Sequence, residues 1–413
     1  MSFISASITT EGLRHYNRAT LLNAIREFGP LSHTEITQKT SLASGTVSVI
    51  TAEFLDESVI EKLEQAPATG RGRPRILFGL KADFAHIVLV RISAEQIEFS
   101  LVDYREVLLD RKTVARDRAH VEISEFGAVI KSEMTDFIAR SKLKPKDIKI
   151  VSITTKGEID EANQILLWSA VFDDQRLDFN ALLAPQWTAE IELSNEACFV
   201  AYNLMAKSLR KNDATIGDRH AVLSLSDSIS LGIAKVSVQG EIELSSPSFG
   251  HMPHSHDGGL CRCGVHGCLE THAGFYGILR FAFNAPKDII PAKFIPLDQM
   301  RKIAEAARNG DRMMGFAFAQ AGQALGICLS RVFNILGPMP LTIVGAGTEF
   351  YDLMEEGVEE HLDCSFQTRM GSKSVVALQP HETQLAFDSN VFVSLRKFDR
   401  SIVATRQYMK RSK

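Results

Sequence analysis

Apolar residues recur at helical spacing at Leu21, Leu22, Ile25 and Phe28, and this first stripe stops at Gly29-Pro30. A second, shorter helix is expected after Ser32, which can cap it with Glu35 three residues on, while Ile36 supplies the inward face. A turn at 41–44 precedes a third helical pattern that buries Val47, Ile50, Phe54 and Leu55. VIEKLEQ and RILFGL then read as two short strands joined by APATGRGRP. Three short helices followed by a two-stranded hairpin form a winged helix-turn-helix, whose last helix enters the major groove of DNA. Phe28, Phe54 and Phe78 are core candidates of this unit, which is expected to occupy residues 1–80.

From Ala85 the period changes. HIVLVRI, QIEFSLVD and EVLLDRKTV predict three antiparallel strands. They are followed by a helix from about Ile123 to Arg140, the strand IKIVSITT, a loop to Trp187, the strand EIELS and a helix from Ala197 to Leu209. HAVLSLS, SLGIAKVSVQ and a second EIELS repeat the strand triplet, and helical segments around Ala304 to Ile335, the strand PLTIVGAG and further helices complete the chain. Residues 81–413 therefore read as an internally repeated α/β body. The terminal SLRKFDRSIVATRQYMKRSK has helical spacing and a basic outer face, which suits a solvated terminal helix.

With 413 residues, 45% hydrophobic and 23% charged, the chain has ample core for two or three domains. Its net charge of -4 offers no overall attraction to nucleic acid. No basic start precedes an apolar run at the N-terminus, and no apolar run approaches a membrane span, so a cytoplasmic protein without a membrane partner is expected. Up to Leu80 the chain carries eight Lys or Arg and eight Asp or Glu, so any contact with DNA must come from where the charges sit. The candidates are Arg14, Arg18 and Lys39 near one end and Arg71, Arg73 and Arg75 in the wing, where a narrow cationic run suits an A·T-rich minor groove. The third helix offers Ser44, Gly45, Ser48 and Val49, small residues that make few bidentate base contacts, so modest direct readout is expected.

Candidate chemistry concentrates at 251–270, HMPHSHDGGLCRCGVHGCLE. Three of the six cysteines fall here as C-x-C-x4-C among glycines and histidines, a spacing that lets a tight backbone bring soft ligands to one tetrahedral ion. The expected ligands are His251, Cys261, Cys263 and Cys268, holding one structural zinc per chain; His254, His256 and His266 are lesser alternatives. Cys198, Cys328 and Cys364 lie in apolar segments, as buried thiols do.

The run Cys261-Arg262-Cys263-Gly264-Val265-His266-Gly267-Cys268-Leu269-Glu270, preceded by Gly250-His251-Met252, resembles the signature of the ROK family of bacterial sugar kinases and sugar-responsive repressors. The resemblance covers nearly the whole chain, and the N-terminal stretch is similar to the helix-turn-helix that the family's repressors carry and its kinases lack. It implies a two-lobed, actin-like, ROK sugar-kinase-like body, its lobes at roughly 81–195 plus the C-terminal helix and 196–390, with a zinc-binding loop and the same four zinc ligands. Carried over position by position, it also implies an effector cleft lined by Asn195, Glu196, His251 and Glu270.

Departures from the kinase pattern bear on function. The first phosphate hairpin of the kinases, Asp-x-Gly-Gly-Thr, stands here as Arg91, Ile92, Ser93, Ala94 and Glu95. The second, Gly-Thr-Gly-x-Gly, stands as Ser226, Asp227, Ser228, Ile229 and Ser230. Side chains replace the bare backbone that phosphate approaches, and Glu95 adds a negative charge. Gly345-Ala346-Gly347 survives from the region that packs on adenosine in kinases. Glu196 replaces the catalytic aspartate, and Ser248 replaces a sugar-contacting glutamate. The expectation is therefore a non-enzymatic repressor of carbohydrate uptake or catabolism genes. It would use no ATP, bind a two-fold, A·T-flanked operator as a homodimer or homotetramer, and sense a small carbohydrate or sugar derivative. The alternatives are an ATP-dependent sugar kinase with a DNA-binding domain and a regulator driven by a protein partner.

Overall fold

The computed structural model of the chain describes residues 10–404 apart from 66–74, 94, 117–122, 161, 170–171, 173–175, 212–216, 227, 239, 290–291, 293–294, 364–365, 367–369 and 371–373. Arg71, Arg73, Ala94, Asp227 and Cys364 lie outside the described residues.

The N-terminal unit follows its sequence pattern. Helix α1 (Thr10–Phe28) buries Leu21, Leu22 and Ile25. Helix α2 (His33–Thr40) begins in a reciprocal cap, in which Ser32 N–H donates to the Glu35 carboxylate at 2.8 Å and the Ser32 hydroxyl accepts from Glu35 N–H. It ends at Ser41 in the left-handed region, φ 58°, and the turn leads to α3 (Ser44–Asp56). Strands β1 (Ile60–Gln65) and β2 (Arg75–Leu80) pair antiparallel, and Leu31 joins them through two backbone hydrogen bonds with Phe78. Phe54 and Phe78 are buried, but Phe28 is 49% exposed and carries the Lys39 ammonium 3.7 Å above its ring, so it is not a core residue. It is the last residue of α1, beyond the reach of the buried stripe.

The body contains two five-stranded sheets of one topology. In the first, β3 (His86–Ile92), β4 (Gln96–Asp103) and β5 (Leu108–Ala115) run antiparallel, and β6 (Ile148–Thr155) and then β10 (Glu190–Ser194) add parallel to β3. In the second, β11 (Arg219–Leu225), β12 (Ile229–Val236) and β13 (Ile242–Ser245) run antiparallel, and β14 (Leu341–Val344) and β15 (Val376–Gln379) add parallel to β11. Each is built on continuously apolar central strands such as β3 and β11, which are covered on both faces.

Helix α4 (Ile123–Ala139) covers the first sheet. The segment before Trp187, expected as a loop, holds a small sheet of β7 (Glu158–Asp160), β8 (Ile165–Trp168) and β9 (Leu177–Asp178), followed by α5 (Phe179–Leu183). Helix α6 (Glu196–Lys211) follows β10. The metal loop leads into α7 (Glu270–Ala273) and α8 (Phe275–Ala282); α9 (Leu297–Arg308), α10 (Arg312–Leu336) and α11 (Glu355–Asp363) complete the second lobe. Helix α10 is long and apolar enough, by length and composition, to cross a membrane, but Ala317, Phe318, Ala321, Leu325 and Leu329 bury its inner face in that lobe's core.

The last helix, α12 (Glu382–Ala404), is not a solvated appendage. It buries Val391, Val393 and Leu395 against the first sheet and α6, and its far end meets α1. Leu21, Leu22 and Ile25 of α1 share one apolar core with Ile87, Leu89, Ile150 and Leu395, so the core runs across the boundary expected at residue 80. A buried polar joint accompanies it: Arg26 donates to both Asp399 oxygens at 2.6 and 2.9 Å, and the Tyr104 hydroxyl donates to Asp399 at 2.6 Å.

Candidate functional site

The DNA-contact candidates divide by exposure. Ser44, Gly45, Ser48 and Val49 lie along one solvent-facing side of α3, opposite the buried Val47, Ile50 and Phe54. Lys39 and Arg75 are exposed, and Arg14 is 47% exposed while bonding Glu53. Arg18 does not fit its expected role. Its side chain is 1% exposed, bonds Glu53 at 2.7 Å and Glu57 at 2.6 Å, and stacks over Phe54, which clamps α1 to α3. A guanidinium buried with two carboxylates has no face left for a phosphate. Spacing alone could not reveal this, because Arg18 falls where the α1 stripe turns inward.

In the metal loop, the four expected ligands converge. One donor atom from each of His251, Cys261, Cys263 and Cys268 lies within 4.8 Å of the others; Cys261 Sγ is 3.6 Å from His251 Nδ1, and Cys263 Sγ is 3.6 Å from Cys268 Sγ. Thiolates about 2.3 Å from a tetrahedral zinc stand about 3.8 Å apart, so this set has the size and chemistry to hold a metal ion. Gly267 makes the turn possible: its φ is +76°, and a Cβ there would sit 1.7 Å from the Ser255 carbonyl oxygen. The other histidines stand apart from the set. His254 faces Cys328 and packs on His272, His266 contacts the Gly258 carbonyl, and His256 is exposed. Without a metal, thiol hydrogen bonding with Cys268 and burial push Cys261 up to about 12, so metal binding must displace its proton.

The cleft between the lobes holds two adjoining cavities. Asn195, His251 and Glu270 line one, together with Lys156, Glu158, Trp168, Ser228 and Ser248. Glu270 opens α7 and is fixed from two sides: Ile229 N–H donates to its Oε2 at 2.7 Å, and Gly274 lets its Oε1 approach where a Cβ would come within 2.3 Å. Trp168 meets the His251 ring edge-on at 4.7 Å between centroids, so one histidine touches both the metal ligands and the cleft wall. Sequence reading missed Lys156, Glu158 and Trp168, because β7 and β8 are short and weakly patterned. That the chain has only two tryptophans was the one available signal.

Glu196 lines the adjoining cavity of the same cleft, which shares Lys156 and Ser228 with the first. Arg91 binds it through Nε to Oε1 and Nη2 to Oε2, the latter at 3.3 Å, and the carboxylate holds the guanidinium above its usual pKa. This second cavity, of about 570 Å³, is also lined by Ser93, Glu95, Ser226, Ser228, Ala346, Glu349 and Glu382. Four carboxylates, Glu95, Glu196, Glu349 and Glu382, line it beside Arg91 and Lys156, and Arg301 donates to both Glu349 oxygens at 2.9 Å. Lys156 lies between the cavities and bonds the Ser226 hydroxyl.

Comparison with known proteins agrees with this geometry. Residues 88–384 match the ROK family. The DNA-binding transcriptional dual regulator NagC of Escherichia coli (strain K12) is 23% identical over 363 residues, covering 84% of each chain. Among solved structures, a ROK family transcriptional regulator described as a homolog of the E. coli MLC protein superposes with a TM-score of 0.69 at 18% identity, covering 95% of this chain and 98% of its own. A ROK family glucokinase from Streptomyces griseus, in complex with glucose and AMPPNP, superposes with a TM-score of 0.54 at 18% identity, over 75% of this chain and 99% of its own. With its repeated sheets, a Cys/His cluster able to hold a metal ion and a family match over most of its length, this chain belongs to the ROK family.

Proposed function

We propose that this chain is a sugar-responsive DNA-binding transcriptional regulator, a repressor of carbohydrate uptake or catabolism genes, and not a kinase. The observation that carries the reading is the Arg91–Glu196 pair: the carboxylate at the kinase base position is held by a guanidinium in the acidic cavity where a nucleotide would lie. Both carboxylate oxygens accept from the guanidinium, and Glu196 lines the cavity beside the Asn195–His251–Glu270 wall. The sugar-side wall of Asn195, His251, Glu270 and Trp168 remains, which suits a pocket that binds without reacting.

Zinc held by three thiolates and one imidazole would be structural, one per chain, because four protein ligands leave no open position for activated water. His251 supports a coupling role for that loop, since its ring belongs to both the ligand cluster and the cleft. Ser44, Gly45, Ser48, Val49, Lys39 and Arg14 would face the operator, with Arg75 at the base of the wing. The partner is a two-fold, A·T-flanked operator read by a homodimer or homotetramer, because one small winged unit makes too few phosphate contacts for tight binding at physiological salt.

The test is to select fragmented genomic DNA of the source organism on the zinc-loaded protein and sequence what is retained. Enrichment of a few two-fold sites beside sugar transport or catabolic genes is the expected result. Retention without enrichment, together with ATP-dependent phosphorylation of any sugar, would replace this reading with the kinase.

A further inference from the structure

A third cavity, of about 260 Å³, lies at the joint between α1 and the body, away from both the cleft and the metal loop. Its walls come from α1, α6 and α12, and Arg210, Arg396 and Arg400 all border it. Arg396 is the unusual member. Its side chain is only 11% exposed, yet its Nε and Nη1 are buried without a hydrogen-bond partner among the described residues. Its ion pair with Asp399 is long, at 4.0 Å, and both Asp399 oxygens already accept from Arg26 while Tyr104 donates to one of them; Glu106 adds a further negative charge. Arg210 and Arg396 lie 4.9 and 4.8 Å from the centre of the same Phe392 ring, and Arg400 is tied to the Tyr202 hydroxyl at 3.3 Å. Burial first, then the Arg26 and Arg210 charges, push Arg396 down to about 10. Glu27 of α1 is the other acidic residue on the wall, and it forms no ion pair with these arginines among the described residues.

Buried guanidinium N–H groups without a hydrogen-bond partner are costly when the one close acid is 4.0 Å away and already engaged, and two more cations beside them add to that cost. An oxyanion with several acceptor faces relieves both terms, and arginine's planar fork suits phosphate oxygens. We propose that this cavity binds a small phosphate-bearing anion through Arg210, Arg396 and Arg400. Because Ala19, Leu22 and Asn23 of α1 form the opposite wall, the bound anion touches the N-terminal unit and the body together. It is therefore a second ligand site, separate from the sugar cleft, placed where occupancy alters how firmly α1 is held. This inference does not depend on the sugar reading.

Calorimetric titrations of the full-length, zinc-loaded protein with inorganic phosphate and with glucose 6-phosphate, at fixed ionic strength in sodium chloride, test it. Saturable binding of at least one probe at one site per chain is expected, and the tighter probe tells free phosphate from a phosphomonoester. Arg396→Met keeps the packing on Phe392 and removes the cation; it should weaken binding about tenfold or more. Arg210→Gln changes an exposed residue, so its fold is safe, and it should weaken binding several-fold. Absence of saturable binding of both probes at about millimolar concentration, or unchanged affinity in both variants, would overturn the proposal.

Discussion

Replacing Asp399 by alanine should loosen the joint between α1 and the body. Asp399 accepts three hydrogen bonds, two from Arg26 and one from Tyr104, and the Arg26 side chain is 1% exposed. Burial alone would lower the Arg26 pKa, but the Asp399 charge and hydrogen bonds outweigh it and hold the guanidinium above its usual value. Asp399→Ala therefore strands a buried cation, a change that costs about 3–5 kcal/mol. Arg26 also donates to the Tyr104 carbonyl at 2.9 Å and reaches Glu106 at 3.3 Å, which places the expected loss at about 3 kcal/mol, the lower end. Removing both partners in Arg26→Met with Asp399→Leu leaves no orphaned charge, so the double variant should recover most of that loss. Urea unfolding of the zinc-loaded proteins gives the energies, and amide exchange in α1 shows whether the N-terminal unit comes loose locally. A loss under about 1 kcal/mol, with α1 exchange unchanged, would refute the idea that this pair holds the unit to the body.

Burial pushes His220 down to about 4, while its Nε2 lies 2.9 Å from the Thr342 hydroxyl. The unfolded chain takes up this proton below about pH 6.5 and the folded chain only below about 4, so the contribution is complete above pH 6.5 and is lost as pH falls towards 4. Urea midpoints should report about 2 kcal/mol lost between pH 7 and 5 through this residue, and His220→Gln should remove that part of the slope. Gly267→Ala places a Cβ against the Ser255 carbonyl at positive φ and should abolish metal retention, measured as metal per chain. Gly264→Ala, where a Cβ meets nothing within 4 Å, should bind metal with milder loss of stability. Arg71→Ala with Arg73→Ala should weaken A·T-flanked operators and lower the salt slope by about 2, read by fluorescence anisotropy at several salt concentrations.

Much of this architecture is legible in the sequence because it rests on local rules. The Ser32–Glu35 cap and the strand triplets at 86–115 and 219–245 each follow from residues close together in the chain. The Cys/His cluster was readable for the same reason, since its three cysteines lie within eight residues. What escaped depends on distant partners. Strand β15 has an exposed, unpatterned VALQ and exists because β14 offers it an edge. Arg18 looks like a free cation until Glu53 and Glu57, a helix away, are folded against it. Glu196 pairs with Arg91, 105 residues earlier, a partner that no local pattern reveals. The C-terminal helix reads as a basic, solvated end, and only its docking on α6 and α1 shows why Val391 and Leu395 are apolar.

The central claim, that a sugar bound in the cleft controls DNA binding, is tested most directly by one titration. A fragment retained in the genomic selection is labelled, and its affinity for the zinc-loaded protein is followed by anisotropy across a panel of sugars and sugar phosphates. At least one of them should shift the affinity by about tenfold, a coupling of about 1.4 kcal/mol, and Glu270→Gln should reduce that shift while leaving unliganded DNA affinity intact. A tight, specific operator complex that no sugar changes would contradict the account, and so would a shift that survives unaltered in Glu270→Gln.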